Sequence, residues 1–145
     1  MTEIAGRALV EGEATGTALV LDEPLSFWGG LDPVTGQLID PRHPQKGVRV
    51  MGRVLVMPSG RGSSSSSSIL AEAIRLRTAP AAIVLAEPDQ IVALGAIVAR
   101  ELYGLALPVV TIGPADCASM EDGMVLRIVG PTITALGRDP SGGPL

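Results

Sequence analysis

A pair of glycines followed by a run of serines is the part of the sequence best suited to chemistry. An apolar stretch at residues 53–57 leads into Gly60, Arg61 and Gly62, and residues 63–68 are then six consecutive serines. Glycines allow a tight turn and bring backbone N–H groups close to a ligand, and the start of a helix offers further N–H donors with partial positive charge. The arrangement predicts an anion site for phosphate or carboxylate, which would also favour the ionised form of a serine hydroxyl held there.

The same residues have a simpler interpretation, because serine is a favoured residue at the start of a helix. Apolar residues recur at helical spacing over residues 69–76, directly after the serines. A flexible serine-rich linker is not expected here, since the strand before and the helix after leave no separate domain on either side. From the residues alone, a reactive serine in an anion site and a plain helix cap both remain open.

Familiar nucleotide-binding and hydrolase motifs do not match this junction. A P-loop needs a lysine that is absent here, a dinucleotide fingerprint needs glycine where Ser65 stands, and a nucleophile elbow needs glycine two residues after its serine. His43, the only histidine, lies in a glycine- and proline-rich loop over residues 26–47 with Asp32 and Asp40. Such loops often carry binding residues, so we expect an ordered loop with His43 as a candidate substrate contact and both aspartates as turn residues.

Composition limits the class of protein. With 145 residues, 46% hydrophobic and 2% aromatic, we expect one aliphatic-core domain over residues 1–138 and a flexible tail at 139–145. A net charge of −4 without a basic cluster argues against nucleic-acid binding. The single cysteine, Cys117, cannot form an intrachain disulfide or build a cysteine metal site alone. Without a signal-peptide pattern or an apolar stretch near the roughly 20 residues of a membrane span, we expect a cytoplasmic protein that does not enter membranes.

The order of predicted elements is that of a mixed α/β domain. Two short strands around a turn are expected within residues 4–22. Further strands are predicted at residues 53–57, 82–85, 108–112 and 125–129. Helices are predicted from residue 69 to 77 and over 91–102, the second ending at Gly104. Strands first, then alternating strands and helices, indicate a mixed α/β or β/β/α architecture around one core.

The junction also carries a family resemblance. Residues 58–63, Pro-Ser-Gly-Arg-Gly-Ser, resemble a signature of aconitase X small subunits and swivelling domains. The loop from Gly29 to Pro44, with its Gly-Gly-Leu-Asp-Pro-x-Thr-Gly start and Asp-x-x-His-Pro end, is similar to that family's other signature, as are residues 81–84. The resemblance extends over nearly the whole chain and implies the swivelling β/β/α domain of the aconitase superfamily.

The resemblance implies the small subunit of a hydro-lyase, or dehydratase, active only with its large subunit in a heterodimer or higher assembly. In the superfamily the first serine after the glycines is the base that removes a proton beside a carboxylate, and that serine is Ser63 here. Substrate contacts are then expected from the same turn and from the second signature: Gly60, Arg61, Gly62, Ser64, Ser65 and His43. The serine tract is closer to the bacterial type, which implies cis-3-hydroxy-L-proline as substrate, or else mevalonate 5-phosphate.

The resemblance places an iron–sulfur cluster in the partner large subunit, where iron acts as a Lewis acid on the leaving hydroxyl, and implies no metal or cofactor in this chain. The sequence departs from the superfamily at one position. The arginine that grips the substrate carboxylate two residues after the base is Ser65 here, and Arg61 is the candidate replacement.

Two other functions compete with the dehydratase. Residues 95–102 are similar to a run in the phosphohistidine swivelling domains of phosphoenolpyruvate-using enzymes, but the histidine of a phosphocarrier would stand where this chain has Leu94. A non-catalytic binding or scaffold module with the same fold is the second alternative, because one chain carries no complete active site.

Overall fold

A computed structural model describes residues 2–138, so the tail predicted at 139–145 lies outside the described residues. The strands are β1 (Thr2–Ala5), β2 (Arg7–Val10), β3 (Glu13–Val20), β4 (Val54–Met57), β5 (Ala82–Leu85), β6 (Val109–Thr111), β7 (Met124–Val129) and β8 (Thr132–Arg138). The helices are α1 (Phe27–Gly30), an irregular turn, and α2 (Ser66–Leu76), α3 (Gln90–Tyr103) and α4 (Pro114–Ala118).

The strands form one sheet in the order β1-β8-β7-β3-β4-β5-β6-β2. Neighbours from β3 to β6 run parallel, and the remaining neighbours are antiparallel. The two strands at the ends of this order, β1 and β2, are separated in the chain only by Gly6, so the sheet curls back towards a barrel. A Cβ at residue 6 would lie 2.5 Å from the Thr111 carbonyl oxygen, so only glycine fits where the chain makes this passage.

The parallel strands are buried on both faces, which explains why their sequences are continuous apolar runs rather than alternating ones. In β4, Leu55 and Met57 belong to a cluster with Leu70 of α2 and Val92 of α3. The alternate residues of β4 and β5 belong to a second cluster on the other face, together with buried residues of β7 and β8. This two-sided burial fixes β4 and β5, and with them the loops that leave their carboxyl ends.

Helices α2 and α3 pack closely because α3 carries a glycine at the contact. A Cβ at Gly95 would lie 2.8 Å from the backbone oxygen of Ser67 and 3.1 Å from Cβ of Leu70. Asp89 caps the start of α3 through its side chain, and Gly104 ends it in the left-handed conformation. The close contact places the first turns of the two helices side by side.

The predicted mixed α/β architecture is confirmed, and the central strands and both long helices lie where the sequence predicts them. The two strands expected within residues 4–22 are present as β2 and β3, and the structure adds β1 ahead of them, separated from β2 by Gly6. Helix α2 begins at Ser66, three residues earlier than predicted, since the serines themselves enter its first turn. Among the helices of residues 2–138, none is long and apolar enough to cross a membrane.

We expect Gly95→Ala to lower the free energy of unfolding by about 1 kcal/mol, although alanine is the better helix former by a similar amount. The reason is that the added methyl meets backbone of α2, and overpacking of this kind costs about 1–3 kcal/mol. Urea unfolding of the purified chain measures the change. Leu94→Ala, at a half-exposed site on the same helix, is the control and should stay within about 0.5 kcal/mol of the wild type. A more stable Gly95→Ala variant would contradict the packing described here.

Candidate functional site

Three loops converge at the carboxyl ends of the parallel strands β3, β4 and β5, and they enclose a cavity of about 190 Å³. Its polar wall consists of Gly60, Arg61, Gly62, Ser63, Ser66 and Asp89, and its apolar wall of Leu25, Phe27, Ile91 and Val92. Loops at the carboxyl ends of parallel strands lead into helix N-termini, which is why ligands commonly bind at this edge. The strand polarity therefore brings the starts of α2 and α3 to one cavity.

At both glycines of the junction, neighbouring atoms leave no room for a side chain. A Cβ at Gly60 would lie 2.2 Å from Oδ2 of Asp89. Gly62 has a φ of +96°, which side-chain-bearing residues rarely adopt, and a Cβ there would lie 2.7 Å from Oγ of Ser26. The turn is further held by Leu25, whose carbonyl accepts the Arg61 N–H at 3.2 Å. The backbone of this turn is thus fixed on both sides.

Ser63 stands at the end of that turn, half-buried in the cavity wall. Its Oγ accepts a hydrogen bond from the Ser65 N–H at 3.1 Å, and its carbonyl accepts the Ser66 N–H at 2.9 Å. The hydroxyl therefore lies at the start of α2, bonded to the Ser65 N–H and close to the positive end of the helix dipole. Negative charge on Ser63 Oγ is stabilised by this position.

The fourth serine of the tract anchors the site. Ser66 is buried, and its hydroxyl accepts a hydrogen bond from the Trp28 N–H at 3.0 Å. The same hydroxyl lies 3.3 Å from Oγ of Ser26, which in turn donates to the Trp28 carbonyl at 3.0 Å. This network ties the first turn of α2 to the loop after β3, in which Trp28 is 58% exposed.

Asp89 is the site residue that sequence reasoning missed. Its Oδ1 accepts the N–H groups of Ile91 at 2.9 Å and Val92 at 3.1 Å, the geometry of a helix N-cap. Its other oxygen, Oδ2, lies over Gly60 in the cavity. An aspartate directly before an apolar helix predicts a cap, but nothing local to it indicates contact with the glycine turn.

The structure brings Gly60, Arg61, Gly62 and Ser63 together and leaves the other predicted contacts outside the cavity wall. Ser64 and Ser65 are exposed on the turn that leads into α2. His43 is only 6% exposed, and both of its ring nitrogens have backbone partners. Nε2 lies 3.1 Å from the Glu23 carbonyl, and Nδ1 lies 3.1 Å from the Gln45 N–H. The contacts of His43 are those of a residue that holds its own loop.

The expectation that Asp32 and Asp40 serve turns is confirmed by their contacts. Oδ1 of Asp32 accepts the Val34 N–H, and Oδ1 of Asp40 accepts the Arg42 N–H, each at 2.9 Å. Both hydrogen bonds span two residues, as in an Asx turn. Each carboxylate therefore stabilises the fold of its own loop segment.

Within residues 2–138, no group of three or more histidine, cysteine or acidic side chains is arranged to hold a metal ion. Burial raises the pKa of the Cys117 thiol, which favours the protonated form over the thiolate that metals bind. Cys117 packs in the apolar cluster away from Ser63.

Two other places in the fold do not compete with this cavity. A shallow depression of about 420 Å³ beside β8 has Glu121 and Arg138 in its wall, and these two side chains are paired with each other. Leu94, the position where a phosphocarrier would need histidine, is a half-exposed residue of α3 outside the cavity. Neither place contains the glycine turn or Ser63.

Two named relatives have similar sequences. The chain is 52% identical over 110 residues to a cis-3-hydroxy-L-proline dehydratase from Pseudomonas aeruginosa, covering 76% of this chain and 19% of that protein. It is 37% identical over 128 residues to the phosphomevalonate dehydratase small subunit of Pyrococcus furiosus, covering 88% of this chain and 90% of that one. The chain thus spans about a fifth of the Pseudomonas relative and most of the Pyrococcus relative.

A solved structure and a family model agree with these relatives. The crystal structure of the holo form of Thermococcus kodakaraensis aconitase X superposes with a TM-score of 0.84 at 32% identity, covering 94% of this chain and 99% of that one. Residues 3–135 match the family model of the aconitase X swivel domain. This chain belongs to the aconitase X swivel-domain family.

Proposed function

We propose that this chain is the small subunit of an aconitase X-type dehydratase and supplies Ser63 as the base that removes a proton beside a substrate carboxylate. The observation that carries the proposal is the position of Ser63, which lines a cavity and whose hydroxyl accepts the Ser65 N–H at the start of α2. A helix cap facing solvent would need no cavity. The family relationship supports a dehydratase for the chemistry of this serine.

The proposed reaction begins with the Ser63 alkoxide, which is the minor form of a weakly acidic hydroxyl. The Ser65 N–H and the start of α2 stabilise its negative charge in a partly enclosed site, where such donors act most strongly. The alkoxide takes the proton from the carbon beside the carboxylate. The electron pair of that C–H bond forms a double bond to the neighbouring carbon, whose hydroxyl departs as hydroxide and takes a proton from solvent to form water. Ser63 is left as the neutral hydroxyl and returns its proton to solvent before the next turnover.

The departure of the hydroxyl is assigned to a partner large subunit. No group of metal-ligating side chains is arranged as a metal site among the described residues of this chain. The iron–sulfur cluster expected in the large subunit is a prediction. The proton transfer to Ser63 does not depend on it. A protein named as a small subunit matches over most of its length, and the Pseudomonas dehydratase contains the matching region in a chain about five times longer. Both observations support a domain that works with a second, larger part.

The preferred substrate is cis-3-hydroxy-L-proline. Identity to the Pseudomonas protein named for that substrate is 52%, against 37% for the Pyrococcus small subunit named for phosphomevalonate. Mevalonate 5-phosphate is the second candidate. Arg61, the cation in the cavity wall, is proposed to bind the carboxylate that either substrate carries.

We expect Ser63→Ala to lower kcat for cis-3-hydroxy-L-proline at least about 100-fold in the co-expressed two-subunit enzyme, the usual loss when a general base is removed. The assay follows product formation by the purified complex. Ser68→Ala, at an exposed serine of the same tract, is the control and should retain wild-type turnover. Near-normal kcat in Ser63→Ala would remove this residue from the mechanism.

Arg61→Gln should raise KM about tenfold or more with a smaller effect on kcat, because a charged hydrogen bond to the carboxylate is lost in the bound ground state. Steady-state kinetics of the same complex separate the two constants. Arg127→Gln, on the exposed face of β7, controls for the change in overall charge. An unchanged KM in Arg61→Gln would mean that another group holds the carboxylate.

His43→Ala distinguishes the predicted substrate contact from a role in the loop. Since both ring nitrogens are engaged by backbone, we expect the free energy of unfolding to fall by about 1 kcal/mol and KM to change less than about twofold. Urea unfolding and kinetics of the complex measure the two quantities. A large rise in KM without loss of stability would instead support substrate binding by His43.

A further inference from the structure

We propose that Asp89 determines substrate specificity by binding a cationic amino group, so that this site takes an amino acid rather than a phosphorylated hydroxy acid. The inference rests on the proposed function and concerns the same cavity. Asp89 and Ser63 both line its wall, although they come from the loops after two different strands.

The Asp89 carboxylate is fixed in place. Oδ1 accepts two backbone N–H groups of α3, at 2.9 and 3.1 Å, so the side chain has little freedom to rotate. Oδ2 lies where the side chain of any residue other than glycine at position 60 would begin, 2.2 Å from the place of its Cβ. Gly60 therefore creates the space through which this oxygen reaches the glycine turn.

Helix capping accounts for only one of the two carboxylate oxygens. Asparagine and serine cap helices about as well as aspartate, so capping alone does not require a charge at this position. Within residues 2–138, neither a hydrogen bond nor an ion pair joins Oδ2 to another side chain. A carboxylate oxygen directed at a ligand cavity and left without a partner favours a cation in the ligand.

The charges of the cavity suit a zwitterion. Arg61 is the basic and Asp89 the acidic side chain in its wall, and neither takes part in an ion pair among the described residues. An amino acid presents a carboxylate to Arg61 and an ammonium to Asp89. A phosphorylated hydroxy acid is anionic at both ends, so one end would face Asp89 at a cost in binding. A ring amino acid with a hydroxyl beside its α-carbon satisfies both charges and presents its α-hydrogen for removal.

The test uses two inhibitors that differ in one group. L-Proline carries a ring ammonium, and cyclopentanecarboxylate replaces that nitrogen by carbon. Competitive inhibition constants for both are measured with the two-subunit enzyme turning over cis-3-hydroxy-L-proline. The wild type should bind L-proline more tightly, and Asp89→Asn should lose about tenfold or more of that preference while Ki for cyclopentanecarboxylate changes less than about threefold.

Asparagine keeps the helix cap and the side-chain shape, so thermal unfolding of Asp89→Asn should match the wild type. Asp89→Ser is a second variant that caps the helix without charge and should lose the same preference. Glu87→Gln, an exposed acid two residues away outside the cavity wall, is the matched control and should keep the wild-type preference.

The outcomes separate the two proposals. If the wild type dehydrates cis-3-hydroxy-L-proline and Asp89→Asn keeps the full preference for L-proline, the role of Asp89 is overturned and the proposed function stands. Equal weakening of both inhibitors also overturns it, because that result reports general disruption rather than loss of an ammonium contact. If the wild-type enzyme acts only on mevalonate 5-phosphate, the assignment of cis-3-hydroxy-L-proline as substrate is wrong, and the proposed role of Asp89 is wrong as well.

Discussion

The absence of side chains at residues 60 and 62 is the constraint on which the site depends. At one glycine the space is taken by the Asp89 carboxylate, and at the other by the Ser26 hydroxyl, with a backbone angle that few other residues adopt. The turn between strand β4 and helix α2 is therefore in close contact with neighbouring side chains on two sides. This crowding fixes the turn that carries Ser63 into the cavity wall, and α3 approaches α2 closely at Gly95.

The sequence predicted what is local and missed what depends on strand pairing. The strand, glycine turn and helix at residues 54–76 were predictable because a two-sided apolar run, φ-permissive glycines and helix-capping serines are adjacent in the chain. The contact of Asp89 with Gly60 was not predictable, because it exists only when β4 and β5 pair in parallel and their loops leave the same edge of the sheet. The local surroundings of Asp89 predict no more than a helix cap.

Two further differences between the predicted and the observed structure also arise from contacts between distant parts of the chain. Strand β8 escaped prediction because Ile133 is its one fully buried residue, which is too weak a pattern to identify a strand without its partners β1 and β7. The serine tract looked uniform, yet one member, Ser66, is buried in a hydrogen-bond network with the loop after β3. Identical residues in a row thus have different tasks, assigned by the direction in which each one points on the helix.

The pairing of β1 with β8 has a consequence for how such a domain can be joined to other chains. Thr2 lies opposite Ala135 in the register of these two strands, so the first and last strands of the described fold are hydrogen-bonded neighbours. A domain whose entry and exit points lie side by side can be spliced into a longer polypeptide with little strain, or made separately, without any change in its interior. One fold can therefore serve as a free-standing subunit in one relative and as about a fifth of a single long enzyme in another.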